Sequence, residues 1–210
     1  MVEVHSYFSE DVHSNTYLIV DVESMEAAVI DPSHMPSVFD VDASKLNIKY
    51  ILLTHGHFDH MFKIDKYRRS YKASVCVHSD DASLLSDGEK NASALFMREP
   101  LVTDSADILL SDGQILYLGN TEIKVFHTPG HTPGSVCFLV DDNMFSGDTL
   151  FAGSIGRTDF WGGSSFKIKE SLIKLKSLDS NYAVYSGHGP QTTLDREKKF
   201  NNYLLYMHID

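Results

Sequence analysis

The run Thr54-His55-Gly56-His57-Phe58-Asp59-His60 packs three imidazoles and a carboxylate into six residues, directly after the apolar stretch Tyr50-Ile51-Leu52-Leu53. Imidazole and carboxylate are the usual ligands of hydrolytic metals. Residues two apart on extended backbone point to the same side, so His55 and His57 can grip one ion where a strand ends. Asp59 and His60 then face elsewhere. A helical turn near Phe58 would swing them onto a new direction, toward a second ion. A histidine-rich surface loop is the plainer alternative, because 11 histidines in 210 residues make chance neighbours common. The position of the cluster, between a buried strand and a helix, favours the metal.

Three later segments each carry one more candidate ligand in a glycine-bearing turn: Thr128-Pro129-Gly130-His131-Thr132-Pro133-Gly134-Ser135, Ser146-Gly147-Asp148-Thr149 and Ser186-Gly187-His188-Gly189-Pro190. Glycine permits the bends that aim a neighbouring side chain into a cleft. Each turn follows a strand signal, so all three can share one edge. Singly they say little, since a histidine between glycines is commonly a turn residue and an aspartate a cap. With the first run they complete a set. His55, His57 and His131 can hold one ion, Asp59, His60 and His188 another, and Asp148 can bridge them with room left for a water.

Positioning such residues takes strands that end together. Tyr17-Leu18-Ile19-Val20 and Ala27-Ala28-Val29-Ile30 flank a polar stretch and read as a hairpin closing at Asp31-Pro32. A short helix over about 36–44 follows, then the buried strand from Tyr50 to Leu53 and an amphipathic helix from Met61 to Tyr71. Next come a strand from Ala73 to His78 and a short helix from Asp80 to Leu85. The stretch from Gly88 to Asp104 has weak periodicity and reads as a loop or broken helix over the site mouth. Strands resume at 114–118, 122–127, 135–140 and 143–146, with a tight turn at Asp141-Asp142-Asn143. A helix over about 165–178, a strand over 183–186 and a helix over about 193–207 close the chain. Two strand series, each followed by a helix, predict an α+β fold, a four-layer αββα sandwich in one domain spanning 1–210.

The balance of 18 basic against 29 acidic residues gives −11, which opposes a polyanionic partner unless a local basic face exists. Lys66-Tyr67-Arg68-Arg69 and Arg196-Glu197-Lys198-Lys199 read as solvated helix faces. No stretch approaches the ~20 apolar residues of a membrane span, and Met1-Val2-Glu3-Val4-His5 lacks a signal-peptide pattern. A small-molecule substrate is therefore expected rather than a nucleic acid or a membrane, with a cytoplasmic location. Cys76 and Cys137 sit in apolar runs without metal or redox spacing and read as buried free thiols. His127 is placed to support the His131 turn from behind. Asp31 begins a turn near the sheet end, which turn chemistry explains, with a supporting role behind the ligands as the alternative, and His5, His13, His34, His78 and His208 read as ordinary polar or core histidines.

The order His-x-His-x-Asp-His, then His131, Asp148 and His188, resembles the metallo-β-lactamase-fold superfamily, and the likeness covers essentially the whole chain. The strings Thr128 to Ser135, Ser146 to Phe151, Gly153 to Phe160 and Gly187-His188-Gly189-Pro190 narrow it to the short glyoxalase II-like hydrolases. This resemblance implies the αββα sandwich and thioester hydrolysis, with S-lactoylglutathione as reference substrate. It implies two divalent ions, zinc being the usual choice and iron or manganese the alternatives, which activate the attacking hydroxide and polarise the carbonyl. Asp59 would orient that hydroxide and handle its proton.

Larger glyoxalase II enzymes carry a basic residue that contacts a glutathione carboxylate, and Arg157, nine residues after Asp148, is the candidate here. The alternative for Arg157 is a surface pair with Asp159. The main zinc class of β-lactamases places a cysteine where this chain has Asp148, so membership of that class is not expected. Met61-Phe62-Lys63 departs from the small glycine-rich step that commonly follows the ligand run. Trp161 stands where proline is frequent, as an acyl-pocket wall or a half-exposed packing residue. The helical C-terminal domain of full-length glyoxalase II, with its glutathione contacts, has no counterpart after His188. The rival functions are a one-iron persulfide dioxygenase using His55, His131 and Asp148, which shares the string Gly156 to Phe160, and a lactone hydrolase. Acidity argues against RNA processing.

Overall fold

From Ser14 to Asp21 every residue except Asn15 is buried, the mark of a strand covered on both faces. The computed structural model describes residues 1–35 and 41–206 and shows what does the covering. A first sheet runs in the order β1 (Val2–Ser9), β2 (Ser14–Asp21), β3 (Glu26–Ile30), β4 (Asn47–Leu52), β5 (Ser74–His78) and β6 (Ile108–Leu110). Its first three strands are antiparallel and β3 to β6 are parallel. The second sheet contains β7 (Ile115–Leu118), β8 (Thr121–His127), β9 (Val136–Val140) and β10 (Asn143–Gly147). A two-stranded ribbon follows, β11 (Leu150–Phe151) with β12 (Ser154–Ile155), before β13 (Ala183–Ser186) and β14 (Thr192–Thr193) complete the second sheet on the far side of β10.

Alternation along the strands sorts side chains into layers. Tyr17, Ile19, Ala28, Ile30 and Leu52 point between the sheets, against Val125, Phe138 and Phe145. Their neighbours Leu18, Val29, Ile51 and Val75 point outward beneath α1 (Ile64–Tyr71), through Ile64 and Tyr67. On the opposite outside, Cys137, Leu139, Met144 and Val184 pack under α3 (Ser165–Lys176), α4 (Leu194–Phe200) and α5 (Asn202–Leu205). A fully buried aliphatic or aromatic side chain contributes about 1.5–3 kcal/mol. The α+β, four-layer αββα sandwich expected from the strand series is the observed architecture.

Several boundaries differ from the sequence pattern. Neither β1 nor β6 is expected from that pattern: β1 is an edge strand with one solvated face and few apolar residues, and β6 is an apolar run of only three residues, Ile108-Leu109-Leu110. The helix after the ligand run starts at Ile64 rather than Met61, since Phe58–His60 forms a separate 3-10 turn. Residues 79–86 are likewise 3-10. The last helix is broken at Asn201, which caps α5 by accepting from the Tyr203 N–H and donates to Ser154 O and Glu197 Oε2, each at 3.0 Å. Of the helix expected over 36–44, residues 36–40 lie outside the described residues and Ala43–Lys45 is one 3-10 turn. The Gly88 to Asp104 stretch contains one short helix, α2 (Ser93–Phe96). Cys76 and Cys137 are buried and free. Among the described residues no helix is long and apolar enough to cross a membrane.

Candidate metal centre

The parallel arrangement of β3, β4 and β5, and of β10 with β13, sends their carboxyl ends to one edge of the sandwich. His55 to His60 follow β4, His131 lies between β8 and β9, Asp148 follows β10 and His188 follows β13. All seven sequence-predicted ligands meet there. His55, His57 and His131 form one convergent group, Asp59, His60 and His188 a second, and His55, His60 and Asp148 a third that overlaps both. Asp148 sits between: Oδ1 lies 3.4 Å from His60 Nε2, and Oδ2 is 3.5 Å from His131 Nε2 and 3.4 Å from His188 Nε2. The predicted turn at Phe58 is the 3-10 segment that redirects Asp59 and His60 away from His55 and His57.

The protein aims these rings from behind. The far nitrogen of four imidazoles is engaged: His55 Nδ1 with Thr54 Oγ1 at 3.1 Å, His60 Nδ1 with Asp31 Oδ2 at 2.8 Å, His131 Nδ1 with Arg157 O at 2.8 Å, and His188 Nδ1 with His13 O at 2.7 Å. A proton held on the far nitrogen leaves the near lone pair for a cation, the usual arrangement behind a metal-bound histidine. His57 is turned the other way, with Nδ1 2.9 Å from His131 Nε2. His55 Nε2, His60 Nε2 and Asp148 Oδ1 are buried and make no hydrogen bond among the described residues. Buried polar atoms are nearly always partnered, so this set fits divalent ions.

Two aspartates outside the predicted ligand set organise the edge. Asp31 corrects the sequence reading as a turn residue, for it does more. At φ +52° and buried, it accepts from Thr54 N (2.8 Å) and Thr54 Oγ1 (2.7 Å) as well as engaging His60. Asp81 is buried on the 3-10 segment after β5 and accepts from Gly56 N, Thr132 Oγ1 and Gly134 N at 2.9, 2.6 and 2.6 Å. One carboxylate thereby pins the His55 loop to the His131 loop. Burial pushes the Asp81 carboxyl above its ordinary range, against the lowering effect of those three donors. Local pattern could not reveal either residue, because their partners lie 23 to 53 residues away.

The two histidine groups differ in charge. Burial, reinforced by neighbouring imidazoles, drives His55 well below the ordinary range and His57 to about 3, so both are neutral. Burial opposes charge on His60 and His188 too, yet carboxylates overcome it. Asp59, Asp31 and Asp148 raise His60 well above the ordinary value, and Asp148 with Asp59 raises His188 to about 10.

A cavity of about 480 Å³ opens on this edge, and Asp59, Asp148 and His188 line it together with Phe58, Phe96 and Phe160. Phe96 belongs to α2, so the Gly88 to Asp104 stretch does border the mouth. Arg157 lines the rim, and its guanidinium gives Asp159 two parallel hydrogen bonds, Nε–Oδ1 at 2.6 Å and NH2–Oδ2 at 2.7 Å, while stacking 3.8 Å over Phe160. The surface pair and the rim position both hold. Trp161, 45% exposed, lies under Lys90 Nζ and outside the cavity lining. His127 reaches the His131 turn only through Pro133 O, at 2.9 Å, and stacks on His78.

The family model for the metallo-beta-lactamase superfamily matches residues 10–188. The chain belongs to this superfamily. Its fold is one that binds divalent metals through histidine and aspartate clusters, and its members are metal-dependent hydrolases. A hydroxyacylglutathione hydrolase, GloC, of Haemophilus influenzae is 32% identical, over 90% of this chain and 92% of that protein. Among solved structures, the BLEG-1 B3 metallo-beta-lactamase is 34% identical with a TM-score of 0.89, covering 96% of this chain and 99% of that one. The protein TTHA1623 in a di-iron-bound form is 32% identical with a TM-score of 0.81, covering 95% and 100%. The missing cysteine argued against the main zinc class of β-lactamases. One of these similar structures is nonetheless a B3 metallo-beta-lactamase, so a β-lactam belongs among the compounds to be tested.

Proposed function

We propose that His55, His57 and His131 hold one divalent ion, that Asp59, His60 and His188 hold a second, and that Asp148 bridges them in a glyoxalase II-like hydrolase of acyl thioesters. The observation that carries this reading is the orientation of the imidazoles: four far nitrogens are engaged by the protein while the buried Nε2 atoms of His55 and His60 and Asp148 Oδ1 are left without hydrogen bonds among the described residues. Such ions, when bound, supply Lewis acidity, lowering the pKa of water from about 15.7 to about 7 and polarising a carbonyl oxygen. Zinc is the first choice, with iron or manganese as alternatives that the same donor set accepts.

The chain's own residues prepare the reaction. Asp59 borders the cavity with Oδ2 3.3 Å from His188 Nε2. Its carboxyl is held below the ordinary range, burial being overcome by His60 and His188, so it is ionised at neutral pH. There it orients the attacking water and accepts its proton. Arg157, at the rim, contacts the substrate. Phe58, Phe96 and Phe160 exclude water from the reacting carbonyl. The same reading places the chain in the cytoplasm, supported by two buried cysteines that form no disulfide.

Metal content should be measured beside a hydrolysis screen over glutathione thioesters, other acyl thioesters, lactones and a β-lactam. Two ions per chain with thioester turnover are expected. One iron per chain, with oxygen uptake on glutathione persulfide, would replace this reading with the dioxygenase.

A further inference from the structure

We infer that the cavity selects an apolar acyl group on an uncharged carrier, and that glutathione is not part of the recognised substrate. This rests on the hydrolase reading above. Once the proposed ligands are set aside, the cavity wall is Val12, Phe58, Phe96, Phe151, Ile155 and Phe160, with Ala92 and a single charged residue, Arg157. A glutathione thioester brings two carboxylates and an ammonium, each of which loses hydration on entering and needs a partner. Arg157 already gives two of its N–H bonds to Asp159 and lays its flat face on Phe160, so one shared guanidinium would face two carboxylates, and the wall outside the proposed ligands holds no acidic group for the ammonium.

The apolar wall is also organised. Phe58 stacks on Phe96 at 5.7 Å and 22°, Phe96 meets Phe160 at 6.0 Å, and Phe160 stands edge-on to His57 at 5.8 Å. On the other side Phe151 meets His188 at 6.0 Å. Two aromatic walls thus rise directly from the ligand rings. At the mouth, Phe96 of α2 leaves 61% of its surface exposed, apolar area that an apolar acyl chain would cover.

The test uses the protein as purified with its metal. Straight-chain acyl thioesters of N-acetylcysteamine from acetyl to hexanoyl are compared with the same acyl groups, and lactoyl, on glutathione. Burial of about 0.8 kcal/mol per methylene corresponds to roughly a fourfold rise in kcat/KM for each added carbon. The glutathione carrier should give no more than about a threefold gain. F96A should flatten the chain-length dependence, and because Phe96 is largely exposed its truncation leaves no core cavity.

A flat chain-length series, or S-lactoylglutathione more than tenfold better than lactoyl-N-acetylcysteamine, overturns the inference. Calorimetric binding of the inert thioethers S-hexyl- and S-methyl-N-acetylcysteamine separates it from the hydrolase reading. If no thioester turns over but the hexyl compound binds at least tenfold more tightly, the thioesterase reading falls and the apolar preference stands. Turnover without that preference gives the reverse.

Discussion

Both ends of the sandwich bury aspartates, and the two ends treat them oppositely. At the end away from the cleft, Asp21 closes β2 with each oxygen answered. Oδ1 accepts from Glu23 N, Ser24 N and Ser24 Oγ at 3.2, 2.8 and 2.9 Å, and Oδ2 accepts from Thr121 Oγ1 at the start of β8, across the sheets. At the cleft end, Asp148 Oδ1 and the Nε2 atoms of His55 and His60 are buried with no such answer among the described residues. A satisfied buried carboxylate holds structure, and an unsatisfied one is held ready for something outside the chain. The unmet atoms of His55, His60 and Asp148 belong to one convergent group, which is why they mark a site rather than scattered local strain.

The largest effect separating the two ends should follow Asp148→Asn. Losing the carboxylate proposed to serve both ions should cost more than the roughly 100-fold that removal of an outer partner can cost, with metal content falling below two per chain by elemental analysis. Undiminished turnover would mean that Asp148 is a structural carboxylate like Asp21. Asp31→Ala comes next, since Asp31 serves both purposes. Metal affinity should fall about 10–100-fold as His60 loses its anchor, and the metal-free protein should lose about 1–3 kcal/mol as Thr54 N goes unpartnered. A change in only one of these would assign Asp31 wholly to one role.

Asp21→Asn should leave metal content and turnover unchanged and cost about 1–2 kcal/mol in denaturant unfolding. The pH dependence has a definite sign. Hydrogen bonds from Thr121 and Ser24 hold the Asp21 carboxyl at about 2, below its ordinary 3.8. Its contribution is complete above the unfolded pKa and is lost as pH falls from about 4 through 2. Asp21→Asn should remove that part of the acid dependence, and an unchanged acid limb would show the Thr121 tie to be energetically idle. The smallest effect is that of Arg157→Ala, whose exposed pair with Asp159 should be worth less than about 1 kcal/mol of stability. A larger loss would give the rim a structural weight that its exposure does not suggest.

The cleft end was more legible in the sequence than the far end. Ligands of a metal are chemically rare types placed at strand-end turns, so His55 to His60 announce themselves by short-range spacing. His131, Asp148 and His188 become readable once the first run has asked for partners. Asp31 and Asp81 are single common residues whose meaning lies in contacts 23 to 53 residues away, and nothing in their neighbourhood distinguishes them from turn residues. Other signals were too weak or too short: β1, whose half-exposed edge dilutes periodicity, β6, which is only three residues long, and the break at Asn201, where one cap outweighs an otherwise continuous helical pattern. For Arg157 the sequence offered a substrate contact and a surface pair with Asp159; the pair is formed and the side chain also lines the cavity.

The three hydrogen bonds of Asp81 have one more consequence. They join the loops that carry His55, His57 and His131, but they touch neither α2 nor the Gly156 to Phe160 segment, which supply much of the cavity wall. The wall reaches the cage by other routes, because Arg157 O holds His131 Nδ1 and Phe58 lies inside the ligand run. Side chains such as Phe96 and Ile155, which line the cavity without holding a ligand, are therefore where a lineage built on this frame is free to change what it accepts while keeping the means by which it reacts.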